Sequence, residues 1–362
     1  MNKACLIDRV RMVWGRMPVS VSFSYGKVDY FHFLFIRLSA GSAEGVGEAM
    51  VPTNQFIKEF LPSLLNADAG ALDSLLPVTN NDHDRILCEG VSMALYDLSG
   101  HIFSLPIRTL LGGSKEKVVP LMPCIFPNSP EEAGKKAAHF FSGGYRYLKT
   151  KLVGNLSEDL ARVKAIRKSA PEGITLQGDA NCGYKTIPEA GRAVAELGAA
   201  GLDIFEDPLD GGVSEYCQLR DWKGAKIMVD TLARRTEDLR EVLRKGAADV
   251  VGIHPDQPGS LSRALGHVSL CRGFGVPVVI GGTGYAGVGS AAYQQLTAVA
   301  TPGGPCGELG GFFDHGMPVA LVKQTLPMEN GAIILSDRPG IGVELDEEKL
   351  KERQEGEAEW RR

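Results

Sequence analysis

Six polar residues punctuate the middle of this chain, each closing a short apolar run: Lys149, Lys151, Asp179, Glu206, Asp230 and His254. Counted from Lys149, the intervals are 30, 27, 24 and 24 residues. Three carboxylates brought together by successive repeats would repel one another in a partly dry site unless a cation lay among them. All-oxygen ligation selects a hard ion, Mg²⁺ or the related Mn²⁺, which keeps coordination positions for water or substrate oxygens. Taken singly, each acid could be a salt bridge or a helix cap; three in register are harder to obtain by accident.

In Lys149-Thr150-Lys151 the period of two along a strand sends both ammonium groups to the same side. Like charges side by side disfavour the charged form, and an amine pushed toward neutrality can act as a general base. Two solvated lysines at a strand tip are the plainer alternative. In Val250-Val251-Gly252-Ile253-His254-Pro255 an apolar run stops at an imidazole, a group that gives or takes a proton near neutral pH. The plainer alternative there is a structural histidine. A divalent ion beside an amine base is the equipment for removing a proton α to a carboxylate, because the ion absorbs the second negative charge of the enediolate.

Such residues need a scaffold that delivers them to one end. A spacing of 24 to 30 residues matches one strand and one helix per repeat in a (βα)₈-type TIM barrel of about 250 residues. Counting back places a first strand near Val118 to Cys124. Counting forward places a seventh at Val276 to Ile280 and an eighth near Cys306 to Leu309, with Glu308 at its end. Ser157-Glu158-Asp159-Leu160 reads as a capped helix start, with Leu160, Val163 and Ile166 on one face. A second helix starts near Pro188, and Leu202 to Phe205 follows it as a strand.

The first third has a different texture. Tyr30 to Leu38 and Gly45 to Val51 read as a strand meander, and Val91, Ala94, Leu95, Leu98 and Ile102 share one helical face. The fold class expected is therefore α/β: an N-terminal α+β capping domain over residues 1–115, completed by about 325–362, and a barrel over 116–324. Met328 to Leu335 reads as a strand packing back on the first domain, and Asp346 to Arg362 as a surface helix and tail.

The 39 basic and 44 acidic residues are interspersed, with a net charge of −5, so no basic stripe points to nucleic acid or to an anionic membrane. Seven scattered cysteines without C-x-x-C spacing read as reduced thiols. No apolar run reaches the length of a membrane span or a signal peptide, so a soluble, cytoplasmic protein is expected.

Several stretches together resemble the mandelate racemase/muconate lactonizing enzyme branch of the enolase superfamily, and more closely its muconate lactonizing group. They are Gly45-Val46-Gly47-Glu48-Ala49, Ala94-Leu95-Tyr96-Asp97, Leu110-Leu111-Gly112-Gly113 and the Lys149/Lys151 pair. Asp179-Ala180-Asn181, Phe205-Glu206-Asp207-Pro208-Leu209, Met228-Val229-Asp230 and Pro339-Gly340-Ile341-Gly342-Val343 continue the series. The resemblance implies that Asp179, Glu206 and Asp230 ligate Mg²⁺, that Lys151 is the base on one face of the substrate, and that Lys149 assists it and helps neutralise the substrate carboxylate. It places Asn181 behind the ligands, the N-terminal domain over the barrel mouth, and the loop from Arg16 to Lys27 as the closing segment.

The family's usual residue at the end of the sixth strand is a second lysine on the opposite face, and His254 occupies that place. Thr231 stands where the group often has a glutamate, and Gln257 and Pro258 depart from the family's loop. Glu308 would contact a polar substrate group or be a surface acid. The function implied is α-proton abstraction from a small carboxylate by a Mg²⁺-dependent homo-oligomeric enzyme acting as a racemase, epimerase or cycloisomerase. Dehydration of a hydroxy acid such as an acid sugar, with His254 expelling the leaving group, and a non-catalytic carboxylate-binding descendant are the competing readings.

Overall fold

The computed structural model describes residues 5–23, 26–52, 54–113, 115–126, 129–170, 173–307 and 320–362. Near the N-terminus, Arg9–Phe23 (β1) and Gly26–Ala40 (β2) pair antiparallel, and Ala43–Ala49 (β3) pairs with β2. Period-2 alternation lets this sheet serve two cores. Val10, Met12, Leu34, Ile36 and Leu38 pack on one side with Leu87, Val91, Ala94, Leu95 and Leu98 of the helix Asp82–Phe103. Val13, Met17, Phe33 and Phe35 face the other way and belong to the core shared with the barrel. Each of these four buried side chains contributes about 2 kcal/mol of apolar burial, so the sheet is bonded to both neighbours.

Of the segment expected as a closing loop, residues 16–23 lie in β1 and 26–27 in β2, with Arg16 opposite His32 and Ser22 opposite Lys27. The hairpin still reaches the barrel: the Phe31 ring lies 2.6 Å from where a Cβ on Gly284 would stand.

Val118–Met122 (β4) and Cys124–Ile125 (β5) are two halves of one barrel staff, separated by Pro123, which has no N–H to give to a ladder. Tyr147–Lys151 (β6), Thr175–Asp179 (β7), Ile204–Glu206 (β8), Lys226–Val229 (β9), Val250–Ile253 (β10), Val278–Ile280 (β11) and Cys306–Gly307 (β12) follow. Each pairs in parallel with the next from β5 to β12, and β12 pairs in parallel with β4, so eight staves close a TIM barrel. Helices such as Leu156–Ser169, Ile187–Ala199 and Leu261–Gly273 fill the crossovers. The first of these is capped by Asn155, whose side chain accepts from the N–H groups of Ser157 and Glu158, and not by Ser157.

The strand Met328–Glu329 (β13) pairs with Ala332–Ile334 (β14), and β14 adds antiparallel to β4. That strand pair thus joins the barrel and not the N-terminal sheet. The charged end is a helix, Glu347–Arg353, followed by a strand, Gln354–Arg361 (β15), which pairs antiparallel with β1. The expected tail is ordered because Ala358 and Trp360 alternate with charged residues and pack against the N-terminal core. Among the described residues no helix is long and apolar enough to cross a membrane.

Candidate active site

The C-terminal ends of parallel strands converge at one mouth, and register shows which residues meet there. Lys151, Asp179 and Glu206 are successive partners on β6, β7 and β8. Asp230 and His254 stand one residue beyond β9 and β10. Lys149, Lys151, Asp179 and Glu206 are all buried.

Lys149 and Lys151 do reach the same side of β6: their Nζ atoms lie 3.0 and 2.6 Å from Asp179 Oδ2. Lys149 also lies 2.7 Å from Glu206 Oε2, so it bridges two of the three acids. Burial raises the affinity of Asp179 for a proton, but the two ammonium groups outweigh burial and hold this carboxyl well below its usual range. Asn181, in the left-handed region at φ 41°, donates its backbone N–H to Asp179 Oδ1 at 2.8 Å and its amide to Oδ2 at 3.2 Å.

Glu206 has the opposite balance. Burial first, then the neighbouring Asp179 and Asp230, raise it well above a normal carboxylate despite Lys149. Gln177 Nε2 donates to its Oε2 at 2.6 Å. Asp230 is held from three sides. Its backbone N–H donates to Asp207 Oδ1 at 3.0 Å, Gln257 Nε2 donates to its Oδ1, and His254 Nε2 lies 3.7 Å from its Oδ2. One ligand atom each from Glu206, Asp230 and His254 lies within 4.8 Å of the others.

Three residues of this constellation have no assigned role in the sequence reading. Gln177 precedes Asp179 by two positions and so shares its face, a signal available from period-2 alternation once the strand is extended past Leu176. Asp207 follows Glu206 at φ 41°. Burial and then Asp230 and Asp179 push it up to about 7, and it accepts from the N–H groups of both Asp230 and Thr231. Gln257 is visible in sequence only as a departure from the family's loop. Glu308 lies outside the described residues.

The donor chemistry fits a divalent cation. Glu206 is a buried carboxylate raised by two neighbouring acids, and the cationic groups touching the set are the two lysines and, when protonated, His254. Asp179, Glu206 and Asp230 would be the oxygen donors of such an ion.

A family model described as "Enolase C-terminal domain-like" matches residues 132–349. An N-succinyl-L-Arg/Lys racemase of Bacillus cereus is 23% identical over 93% of this chain and 95% of its own length. A hydrophobic dipeptide epimerase of Enterococcus faecalis is 30% identical over 71% of this chain and 70% of its own. The solved structure of muconate lactonizing enzyme from Pseudomonas fluorescens superposes with a TM-score of 0.87 at 22% identity, covering 97% of this chain and 100% of that one.

Proposed function

The chain belongs to the mandelate racemase/muconate lactonizing enzyme family of the enolase superfamily and is an enzyme of that kind, and on that premise we propose that it moves the α-proton of a small carboxylate between two groups facing each other across the barrel mouth. β6, with Lys151, and β10, with His254, are the second and sixth of eight staves. Four staves apart in a ring of eight is diametrically opposite, and this one relationship carries the proposal. Asp179, Glu206 and Asp230 occupy the three staves between.

Asp179, Glu206 and Asp230 would hold a divalent ion, Mg²⁺ or Mn²⁺, which when bound would supply positive charge to offset what accumulates on the carboxylate as the α-proton leaves. The chain's own residues do the rest. Lys151 takes the proton from one side, and Lys149, two residues back on the same face, keeps a second positive charge beside it. His254 returns a proton to the opposite side, which inverts the centre; return by Lys151 restores it. Asn181 and Gln257 keep Asp179 and Asp230 turned toward the mouth. Residues 1–115, with the final strand, act as the cap whose Phe31 meets Gly284.

Racemases and epimerases among the relatives support an amino-acid derivative, N-acylated or in a dipeptide, as the substrate class. The test is incubation of N-acyl amino acids, dipeptides and acid sugars with enzyme and Mg²⁺ in D₂O. α-Deuteration with inversion is expected. Elimination of a leaving group would replace this reading by the dehydratase one, and no exchange across the panel would leave a carboxylate-binding protein.

A further inference from the structure

The acid cluster contains one nitrogen donor. Ligand atoms of Glu206, Asp230 and His254 lie within 4.8 Å of one another; Lys149 touches both Asp179 and Glu206, and Lys151 is held by Asp179 alone of the three acids. A separate feature points at the same place: the Gln177 amide whose Nε2 donates to Glu206 has a buried Oε1 with no partner among the described residues.

Ion chemistry then separates two classes. Mg²⁺ is hard and takes oxygen donors, while Zn²⁺ and Co²⁺ bind imidazole readily and bind mixed nitrogen and carboxylate sets more tightly than the earlier ions. Donors around a tetrahedral ion with bond lengths of about 2.1 Å stand about 3.4 Å apart, so ligand atoms within 4.8 Å of one another close on it with movements of under about 1 Å each. We propose that Glu206, Asp230 and His254 form a binding site for a late first-row divalent ion, Zn²⁺ foremost, in which the His254 imidazole is a ligand. An imidazole nitrogen whose lone pair is given to zinc has none for a proton. Zn²⁺ therefore inhibits the inversion that Mg²⁺ supports. The inhibition rests on the proposed function; the binding site does not.

The experiment is titration of the EDTA-stripped full chain with Zn²⁺, Co²⁺ and Mg²⁺ by calorimetry, for the wild type and His254→Asn. Zn²⁺ is expected to bind at least about 100-fold more tightly than Mg²⁺. The substitution should weaken Zn²⁺ by about 10- to 100-fold, as loss of a ligand or its immediate support does, and change Mg²⁺ by less than about three-fold. The visible absorption of the Co²⁺ form should change with it. Should the variant fail to fold, wild type carrying ring-¹⁵N histidine decides: substoichiometric Zn²⁺ is expected to shift one imidazole's nitrogen resonances where Mg²⁺ shifts none. Equal Zn²⁺ affinity in both proteins, or no perturbed imidazole, overturns the site. Failure of Mg²⁺ and Mn²⁺ to bind at all would instead remove the metal from the proposed function and leave the Zn²⁺ result readable.

Discussion

Where a Cβ would stand on Gly281, the Nε2 of His254 lies only 2.0 Å away. The ring of one strand end is thus seated on the bare backbone of the next, and a methyl group there must push it aside. Gly281→Ala is expected to lower α-proton inversion by at least about ten-fold, in the range lost when a general acid or base is misplaced. The double variant with His254→Asn should be no worse than the worse single one, because both act through one imidazole. Polarimetric rates of inversion measure this, and simple additivity would sever the link between the contact and turnover.

Removal of the other proton-transfer group should be more severe. Lys151→Ala leaves Asp179 still paired with Lys149 at 3.0 Å, so the mouth keeps one ammonium. Loss of the base itself should cost about 10²- to 10⁴-fold in α-proton exchange. NMR of the substrate α-position in D₂O reads it, and wild-type exchange in this variant would remove Lys151 from the reaction.

Chelation should abolish turnover, and Mg²⁺ should raise the melting temperature of the stripped protein. At 100 times its Kd a ligand that binds only the folded state adds about 2.7 kcal/mol. Asp230→Asn should lose most of that gain in differential scanning calorimetry, since this carboxylate is one of the three donors proposed. A Mg²⁺-induced rise equal to that of the wild type would place the ion elsewhere.

Away from the site, His267 sets a pH dependence. It is buried on the helix Leu261–Gly273, with Nε2 3.0 Å from Thr236 Oγ1, and burial lowers it to about 4. The folded state therefore binds fewer protons than the unfolded one between about pH 4 and the ordinary histidine value of about 6.5. Stability rises with pH across that window and is lost on acidification, by on the order of 3 kcal/mol for the full shift. Urea melts from pH 4 to 7 should show this slope, and His267→Gln should flatten it; an unchanged slope would assign the dependence to other groups.

The sequence by itself determined the barrel strands and the order in which they follow one another. Alternation with a period of two and the spacing of 24 to 30 residues are local properties, and they sufficed to locate eight staves, the polar residues that close five of them, and the Lys149/Lys151 pair on one face. Tertiary structure alone decided which charges share a partner. Lys149 joins Asp179 to Glu206 across β7 and β8, Asp230 is held by Asp207 and Gln257 from two other strand ends, and Glu206 is left as the acid that burial and its neighbours raise. Those balances are sums over groups tens of residues apart in a water-poor mouth, where a few ångströms change a Coulomb energy by kcal/mol. For the same reason the last strand was not legible: Gln354–Arg361 has an apolar face of only Ala358 and Trp360, and it becomes β15 because β1 offers an unpaired edge.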